Sequence, residues 1–364
     1  MNQQNVNNSE VRAEQAASKP HQIIKLGLDV HAESIVVARQ LDHSAPQPPQ
    51  KFTPAKFLEW VKTQVDLSDT VHSCYEAGAF GFGLHRQLVA LGVQNVVAQP
   101  VCLDEQHKKV NHDGSDALAL LARLDRRVAG NPQALAIVRV PGEAEEQKRI
   151  ESRQREQLKR EVQRVAAQGR SLLLSQGWHE KNQWWQTARW EDLQPRLPAW
   201  LVTRLETFRR VLAILTTELA AATRAVSAAA PAVRPKGLGG LTYETLEREV
   251  GDWGRFHNRR EVGSYTGLCG GVSASGKSHH LLSITKHGNA RLRTALVEMA
   301  WRLVLWQPDC KLVRKWGRIL GNPKATRAAR KKAIVAVARQ MAVDLWRWRT
   351  GRVTPAALGW VMLA

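Results

Sequence analysis

Two apolar segments near the N-terminus restrict the fold of this 364-residue chain more than any other feature. The segment IIKLGLDV has the composition of a buried strand, and SIVVARQL indicates a second strand after a short turn, so the two predict a β-hairpin. DTVHSCYEAG and QNVVAQP predict two further strands, with a helix over FGLHRQLVALGV between them. This order of elements predicts an α/β domain with a mixed sheet over residues 23–140.

Four carboxylates stand where these elements end or begin. Asp29 ends the first strand, Glu76 ends the third, and Asp113 and Asp116 open the helix in NHDGSDALALLARL. Residues three apart lie on one helix face, and strand ends and a helix start can meet at one edge of a sheet. Phosphoryl transfer with bound metal needs converging carboxylates, and oxygen ligands suit Mg²⁺ or Mn²⁺.

The carboxylates also have simpler interpretations. Asp113 or Ser115 could be only the N-cap of the helix, and an aspartate after a strand is often part of a turn. Taken together, the positions of the four carboxylates fit one metal site better than they fit four unrelated caps and turns.

The charge of the chain indicates a polyanionic partner. Lys and Arg number 53 against 33 Asp and Glu, the net charge is +20, and the pI is about 10.3. Nucleic acid is the first expectation and a membrane surface is the alternative. No spanning helix is expected, the polar residues 1–22 predict a disordered leader, and the scattered cysteines argue against a zinc site.

Residues 141–232 are predicted to form a helical arm. Helices are expected over 143–175 and 200–229, either as an antiparallel coiled-coil or dimerisation arm or as an ordinary bundle. The tryptophans between them, Trp184, Trp185 and Trp190, could stack on RNA bases or pack the tip of the arm.

Residues 233–350 are predicted to form a mainly helical domain, followed by a tail over 351–364. The segment GGVSASGKSHH indicates a flexible loop. Its GVSASGKS has the spacing of a phosphate-binding P-loop, but no helix is expected to follow, which argues against ATP binding. Serines are nucleophile candidates here, and basic residues could bind phosphate. The serines are Ser264, Ser273, Ser275, Ser278 and Ser283, and the basic residues are Lys108, Lys109, Lys277, Lys286, Arg291, Arg293, Arg327, Arg330 and Lys331.

The order of these motifs resembles the DEDD transposases of bacterial insertion sequences, in insertion-sequence family 110 and its 1111 subgroup. The resemblance runs from about residue 23 to residue 345 and rests on GLDVHAESIVVA, CYEAGAFGFGLHRQL, KKVNHDGSDALALLARL, GLGGLTYETLEREVGDWGRF and SASGKSHHLLSITKHGNARLR.

The resemblance implies an N-terminal RuvC-like domain of RNase H type, in which Asp29, Glu76, Asp113 and Asp116 hold the metal, and a C-terminal domain in which Ser275 is the nucleophile. It also implies site-specific DNA recombination guided by a structured non-coding RNA. A homo-oligomer in the bacterial cytoplasm, associated with the nucleoid, is the corresponding expectation.

Two alternatives stay open from the sequence. One is a metal-dependent junction-resolving nuclease in which water is the nucleophile. The other is a basic nucleic-acid-binding module whose carboxylates are only caps and turns.

Overall fold

The computed structural model describes residues 19–100, 113–181, 183–275 and 278–363, and of Asp113, Ser275 and Leu281 only the backbone. The chain forms two compact units, Met1–Val140 and Pro141–Ala364. Most of the predicted disordered leader lies outside the described residues, although its last two residues already belong to the first strand.

The first unit is built on a five-stranded mixed sheet. Its elements are β1 His21–Val30, β2 Ile35–Leu41, β3 Gln50–Phe52, α1 Pro54–Leu67, β4 Ser68–Glu76, α2 Gly83–Ala90, β5 Gln94–Ala98 and α3 Asp113–Val128. The strand order is β3-β2-β1-β4-β5, with β1 antiparallel to β2 and parallel to β4. The predicted hairpin is confirmed, whereas β3 and α1 were not predicted from the sequence.

Both faces of β1 are covered, which explains its unbroken apolar sequence. Ile24, Leu26 and Leu28 belong to a core cluster with residues of α1 and α2, such as Phe57 and Leu88. The intervening residues of β1 alternate to the opposite face of the sheet, where α3 packs.

The second unit is mainly helical. Its elements are α4 Glu143–Ser175, α5 Thr187–Leu193, α6 Ala199–Ala228, β6 Arg234–Pro235, α7 Gly240–Val250, α8 Arg259–Thr266, β7 Gly270–Ser275, β8 Ser278–Ile284, α9 Ala290–Trp306, α10 Lys311–Lys315, α11 Gly317–Leu320, α12 Arg327–Arg349, α13 Pro355–Leu358 and β9 Met362–Leu363. The predicted class, α/β followed by mainly α, is confirmed.

Helices α4 and α6 form a long antiparallel pair. Arg155 in the first half of α4 donates to Thr223 near the end of α6, which sets the direction, and the apolar residues of the two helices share one core. Trp184 is fully buried, and its indole N–H donates to the Ala166 carbonyl at 2.8 Å. A Cβ atom at Gly169 would lie 2.0 Å from the Trp184 ring, so the ring requires glycine there. Trp184 therefore packs the tip of the arm, and a coiled coil stays a prediction.

Helix α6 is the one described helix long and apolar enough to cross a membrane by length and composition. This is weak evidence of a membrane span, because core helices pass the same test. Leu201, Leu205 and Leu212 of α6 are buried against its neighbours in the arm.

The remaining helices enclose a second core, formed chiefly by α7, α8, α9 and α12. Leu358 and Trp360 belong to this core, although they lie in the predicted C-terminal tail. The prediction of a flexible loop over GGVSASGKSHH was wrong, because most of this segment forms the β7–β8 hairpin. A strand rather than a helix follows the P-loop spacing, which agrees with the argument against ATP binding.

Candidate active site

The carboxyl ends of β1 and β4 place two of the predicted acidic residues side by side. The parallel register pairs Leu28 with Tyr75, so the next residues along the two strands are Asp29 and Glu76. Residues in register on neighbouring strands point to the same face of the sheet. Asp29 and Glu76 therefore share the face on which α3 packs.

Two contacts fix the direction of α3 on this face. Lys25, only 2% exposed, lies 2.6 Å from Asp125 near the end of α3. A Cβ atom at Gly27 would lie 2.2 Å from the Ala117 carbonyl oxygen, so only glycine lets the helix approach this closely. Because α3 thus runs antiparallel to β1, its first turn, with Asp116, lies toward the end of β1 where Asp29 stands.

The predicted metal ligands are only partly described. Helix α3 begins at Asp113, so Ser115 lies inside the helix and is not its N-cap. Among the described side chains, no group of three or more His, Cys, Asp or Glu residues could hold a metal ion, and the Asp113 side chain is not among them. The donors at this edge are carboxylate oxygens, which are the ligands that Mg²⁺ and Mn²⁺ prefer. Their role as ligands stays a prediction.

A histidine that the sequence analysis missed lies at the same edge. The Nε2 atom of His31 is 3.0 Å from an Asp29 carboxylate oxygen, and the Asp29 side chain is 20% exposed. The signal was available in the sequence, because His31 follows Asp29 by two residues at a strand end. His31 therefore joins the candidate residues of this site.

The nearby cysteine is not a nucleophile. Burial and the neighbouring charge of Glu76 raise the pKa of the Cys74 thiol to about 12. Its S–H donates to the Leu120 carbonyl on α3. A thiol with this pKa stays protonated at neutral pH, so Cys74 packs the sheet against the helix.

Ser275 is the last residue of β7 and lies opposite Ser278 across the hairpin. Its side chain, with Gly276 and Lys277, lies outside the described part. The flanking Ala274 and His279 are exposed, so the described residues next to Ser275 lie on the surface. The rival serines, Ser264, Ser273, Ser278 and Ser283, are exposed as well. Burial therefore does not select one of them.

Two of the predicted phosphate-binding arginines have partners inside the protein. The Arg291 guanidinium donates to the Glu156 carboxylate at 2.5 Å. Arg293 donates to the carbonyls of Thr266 and Lys286, where Lys286 has a positive φ of 58°. Arg291 thus ties α9 to α4, and Arg293 ties α9 to the end of α8 and to the segment after β8. Their binding to nucleic acid stays a prediction.

The basic residues predicted on α12 differ from one another. Arg330 donates to the carbonyls of Asn322 and Pro323 and braces the loop before the helix. Arg327 and Lys331 are exposed. Of the remaining predicted residues, Lys108 and Lys109 lie outside the described residues, as Lys277 does.

Comparison with known proteins decides the family. A family model described as the transposase IS116/IS110/IS902 family matches residues 234–313. A protein of Sinorhizobium fredii named as transposase y4rJ is 31% identical over 301 residues, which cover 75% of this chain and 75% of that protein. This chain belongs to the IS116/IS110/IS902 transposase family.

Two further relatives carry transposase names. Transposase y4qE of Sinorhizobium fredii is 29% identical over 304 residues, which cover 76% of this chain and 74% of that protein. The transposase for insertion sequence element IS1111A of Coxiella burnetii is 33% identical over 120 residues, 32% of each chain.

A buried ionic network that was not predicted from the sequence joins the part matched by the transposase family to α4. The Glu249 carboxylate is 1% exposed and accepts two hydrogen bonds from Arg153 and one from Asn289 at 2.8 Å. Burial alone would raise the pKa of Glu249, but these bonds outweigh it and lower the pKa. Asn289 also caps α9 by accepting from the backbone N–H groups of Arg291 and Leu292. The asparagine of the basic motif TKHGNARLR thus has a structural function in this transposase.

Proposed function

We propose that this transposase is the DNA recombinase of an insertion sequence and cuts and rejoins DNA strands through a serine nucleophile. The observation that carries the proposal is the neighbouring position of Asp29 and Glu76 beside the first turn of α3, in a chain of net charge +20. Carboxylates repel DNA phosphates, so their concentration at one edge of a DNA-binding protein fits a site where a cation lies between them.

The first unit would be a RuvC-like domain that binds Mg²⁺ or Mn²⁺. Asp29, Glu76, Asp113 and Asp116 would be its ligands, and oxygen donors fit these cations. When bound, the cation polarises the scissile phosphate and stabilises the charge on the leaving oxygen. Gly27 and the Lys25–Asp125 pair fix α3 on the sheet and so position Asp116.

Ser275 would attack the DNA. Its Oγ atom forms a bond to phosphorus while the bond from phosphorus to the 3′ oxygen breaks. The proton that the serine hydroxyl loses balances the proton that the 3′ oxygen gains. The product is a phosphoserine link between protein and DNA, which a second 3′ hydroxyl reverses to join new strands. The exposure of the flanking Ala274 and His279 supports this role, because a DNA strand can approach these residues.

The proposed partners are the DNA of the element ends and target, a structured guide RNA, and further copies of this chain. The family supports DNA, and the net charge supports polyanions in general. The α4–α6 arm supports self-association, because Ile214 and Val211 on α6 are 67% and 42% exposed.

A denaturing gel tests the reaction. The purified protein is incubated with element-end DNA, Mg²⁺ and RNA transcribed from the flank of the element. We expect a covalent protein–DNA adduct that is lost in Ser275→Ala, and also in Asp116→Ala.

Other outcomes would assign other functions. A nuclease that uses water would cleave the DNA without forming an adduct. Its cleavage activity would be retained in Ser275→Ala and lost in Asp116→Ala. If the protein binds DNA but no preparation of it cleaves DNA, the result would indicate a non-catalytic module.

A further inference from the structure

A concave surface in the second unit concentrates cations from three helices that are far apart in the chain. It encloses about 810 Å³ and lies between α8, the base of the β7–β8 hairpin, α10 and α12. We call it the basic groove and define it by its six cations, Arg259, Arg260, Lys315, Lys331, Lys332 and Arg339. Only Lys331 among them was a predicted nucleic-acid contact.

No carboxylate neutralises these charges within the described residues. None of the residues that line the groove is acidic, and no ion pair of the described residues includes any of its six cations. Arginines elsewhere in the same unit are paired, as Arg153 is with Glu249 and Arg248 with Glu244. Clustered like charges repel one another and disfavour the folded state unless a counter-charge arrives. The groove therefore fits an anionic partner.

The walls of the groove indicate an extended polyanion rather than a single small anion. Val335 and Ala336 line the space between the cations, with half-buried Trp316 and the 56% exposed Leu282 beside them. A sugar–phosphate backbone offers both kinds of surface, since anionic phosphates alternate with less polar sugars. Six cations over an open cavity suit several successive phosphates.

One wall belongs to the hairpin that carries the proposed nucleophile. Leu282, Ser283 and Ile284 of β8 line the groove, and Ser275 ends the strand paired with β8. A DNA strand bound in the groove would therefore run along the base of the hairpin, and Ser275 lies at the other end of that hairpin. We propose that the basic groove holds the sugar–phosphate backbone of the DNA strand that Ser275 attacks. This rests on the proposed function.

Binding measurements in a Ser275→Ala background test the groove without cleavage. Fluorescence anisotropy of a labelled DNA duplex, and of an RNA of the same sequence, gives Kd over a series of salt concentrations. The groove variant is Lys331→Ala/Lys332→Ala/Arg339→Ala. The matched control removes three exposed arginines of α6 by Arg204→Ala/Arg210→Ala/Arg224→Ala, with the same change in net charge.

The groove variant should bind DNA about tenfold more weakly or worse, and its slope of log Kd against log salt should fall by about two to three, because each phosphate contact contributes about 0.9. The control should change Kd by less than about threefold. Equal effects of the two variants, or a loss confined to RNA, would overturn the proposal. The adduct test can fail while this binding result holds, so the two failures are distinguishable.

Discussion

Two concave surfaces in the second unit use their charges in opposite ways. A cavity of about 290 Å³ between α4, α7 and α9 is lined by residues of both signs, among them Arg291, Glu156 and Glu249. The basic groove is larger, about 810 Å³, and its charged lining residues are all cations. In the first cavity Arg291 is bonded to Glu156, and Glu249 to Arg153.

The difference indicates which charges maintain the fold and which remain for a partner. Paired and buried ions, such as Glu249, join helices that are far apart in sequence, and removing one partner leaves an uncompensated charge. Exposed cations without a carboxylate add little to folding stability. The same unit therefore separates a structural ionic network from a binding surface.

The largest expected effect is on the structural side of this comparison. Glu249→Ala should lower the free energy of unfolding by about 2–4 kcal/mol, because it removes the acceptor of Arg153 and Asn289 inside the protein. Urea denaturation measures the change. The control is Glu298→Ala, which removes an exposed carboxylate from the same cavity and should cost less than about 0.5 kcal/mol. Equal losses of unfolding free energy in the two variants would mean that the bonds of Glu249 do not stabilise the fold.

A smaller effect is expected from pH. Because the pKa of Glu249 is lowered in the folded protein, its contribution to stability is present above its ordinary value of 4.5 and is lost as the pH falls through the folded pKa. The difference in unfolding free energy between the parent and Glu249→Gln should therefore shrink as the pH falls below about 4.5. Because the other carboxylates are the same in both proteins, taking the difference removes their contribution to the pH dependence. A difference independent of pH would contradict the assigned bonds.

The smallest effect is expected in the groove. The variant Lys331→Ala/Lys332→Ala/Arg339→Ala should change the unfolding free energy by less than about 1 kcal/mol, and the change should favour folding at low salt, where repulsion among the cations is strongest. Urea denaturation at two salt concentrations measures the size of this change and its dependence on salt. A large loss of stability that salt does not alter would show that these cations are structural.

The sequence predicted the elements whose periodic pattern is long or whose apolar run is unbroken. The β1–β2 hairpin, α4 and α6 belong to this class. The short β3 was missed because three residues carry no periodicity. The β7–β8 hairpin was taken for a loop because serine and glycine are typical of loops, and the pairing between strands cannot be read from composition.

The candidate site was predictable in part. Asp29 and Glu76 were placed at strand ends from sequence, and their adjacency follows from the parallel register of β1 and β4. The close approach of α3 at Gly27 was not predictable, because it depends on a helix about 90 residues further along the chain. The basic groove was missed for the same reason, since Arg259, Lys315 and Lys332 meet only in the folded unit.

The position of the nucleophile is the most direct test of this account. The covalent protein–DNA adduct is trapped, its DNA is digested to a short remnant, and tandem mass spectrometry locates the modified residue in the hairpin peptide. We expect a nucleotide attached through phosphate to Ser275. Attachment at Ser273 or Ser278 of the same hairpin, or at a residue outside it, would contradict the assignment of Ser275 as the residue that attacks DNA.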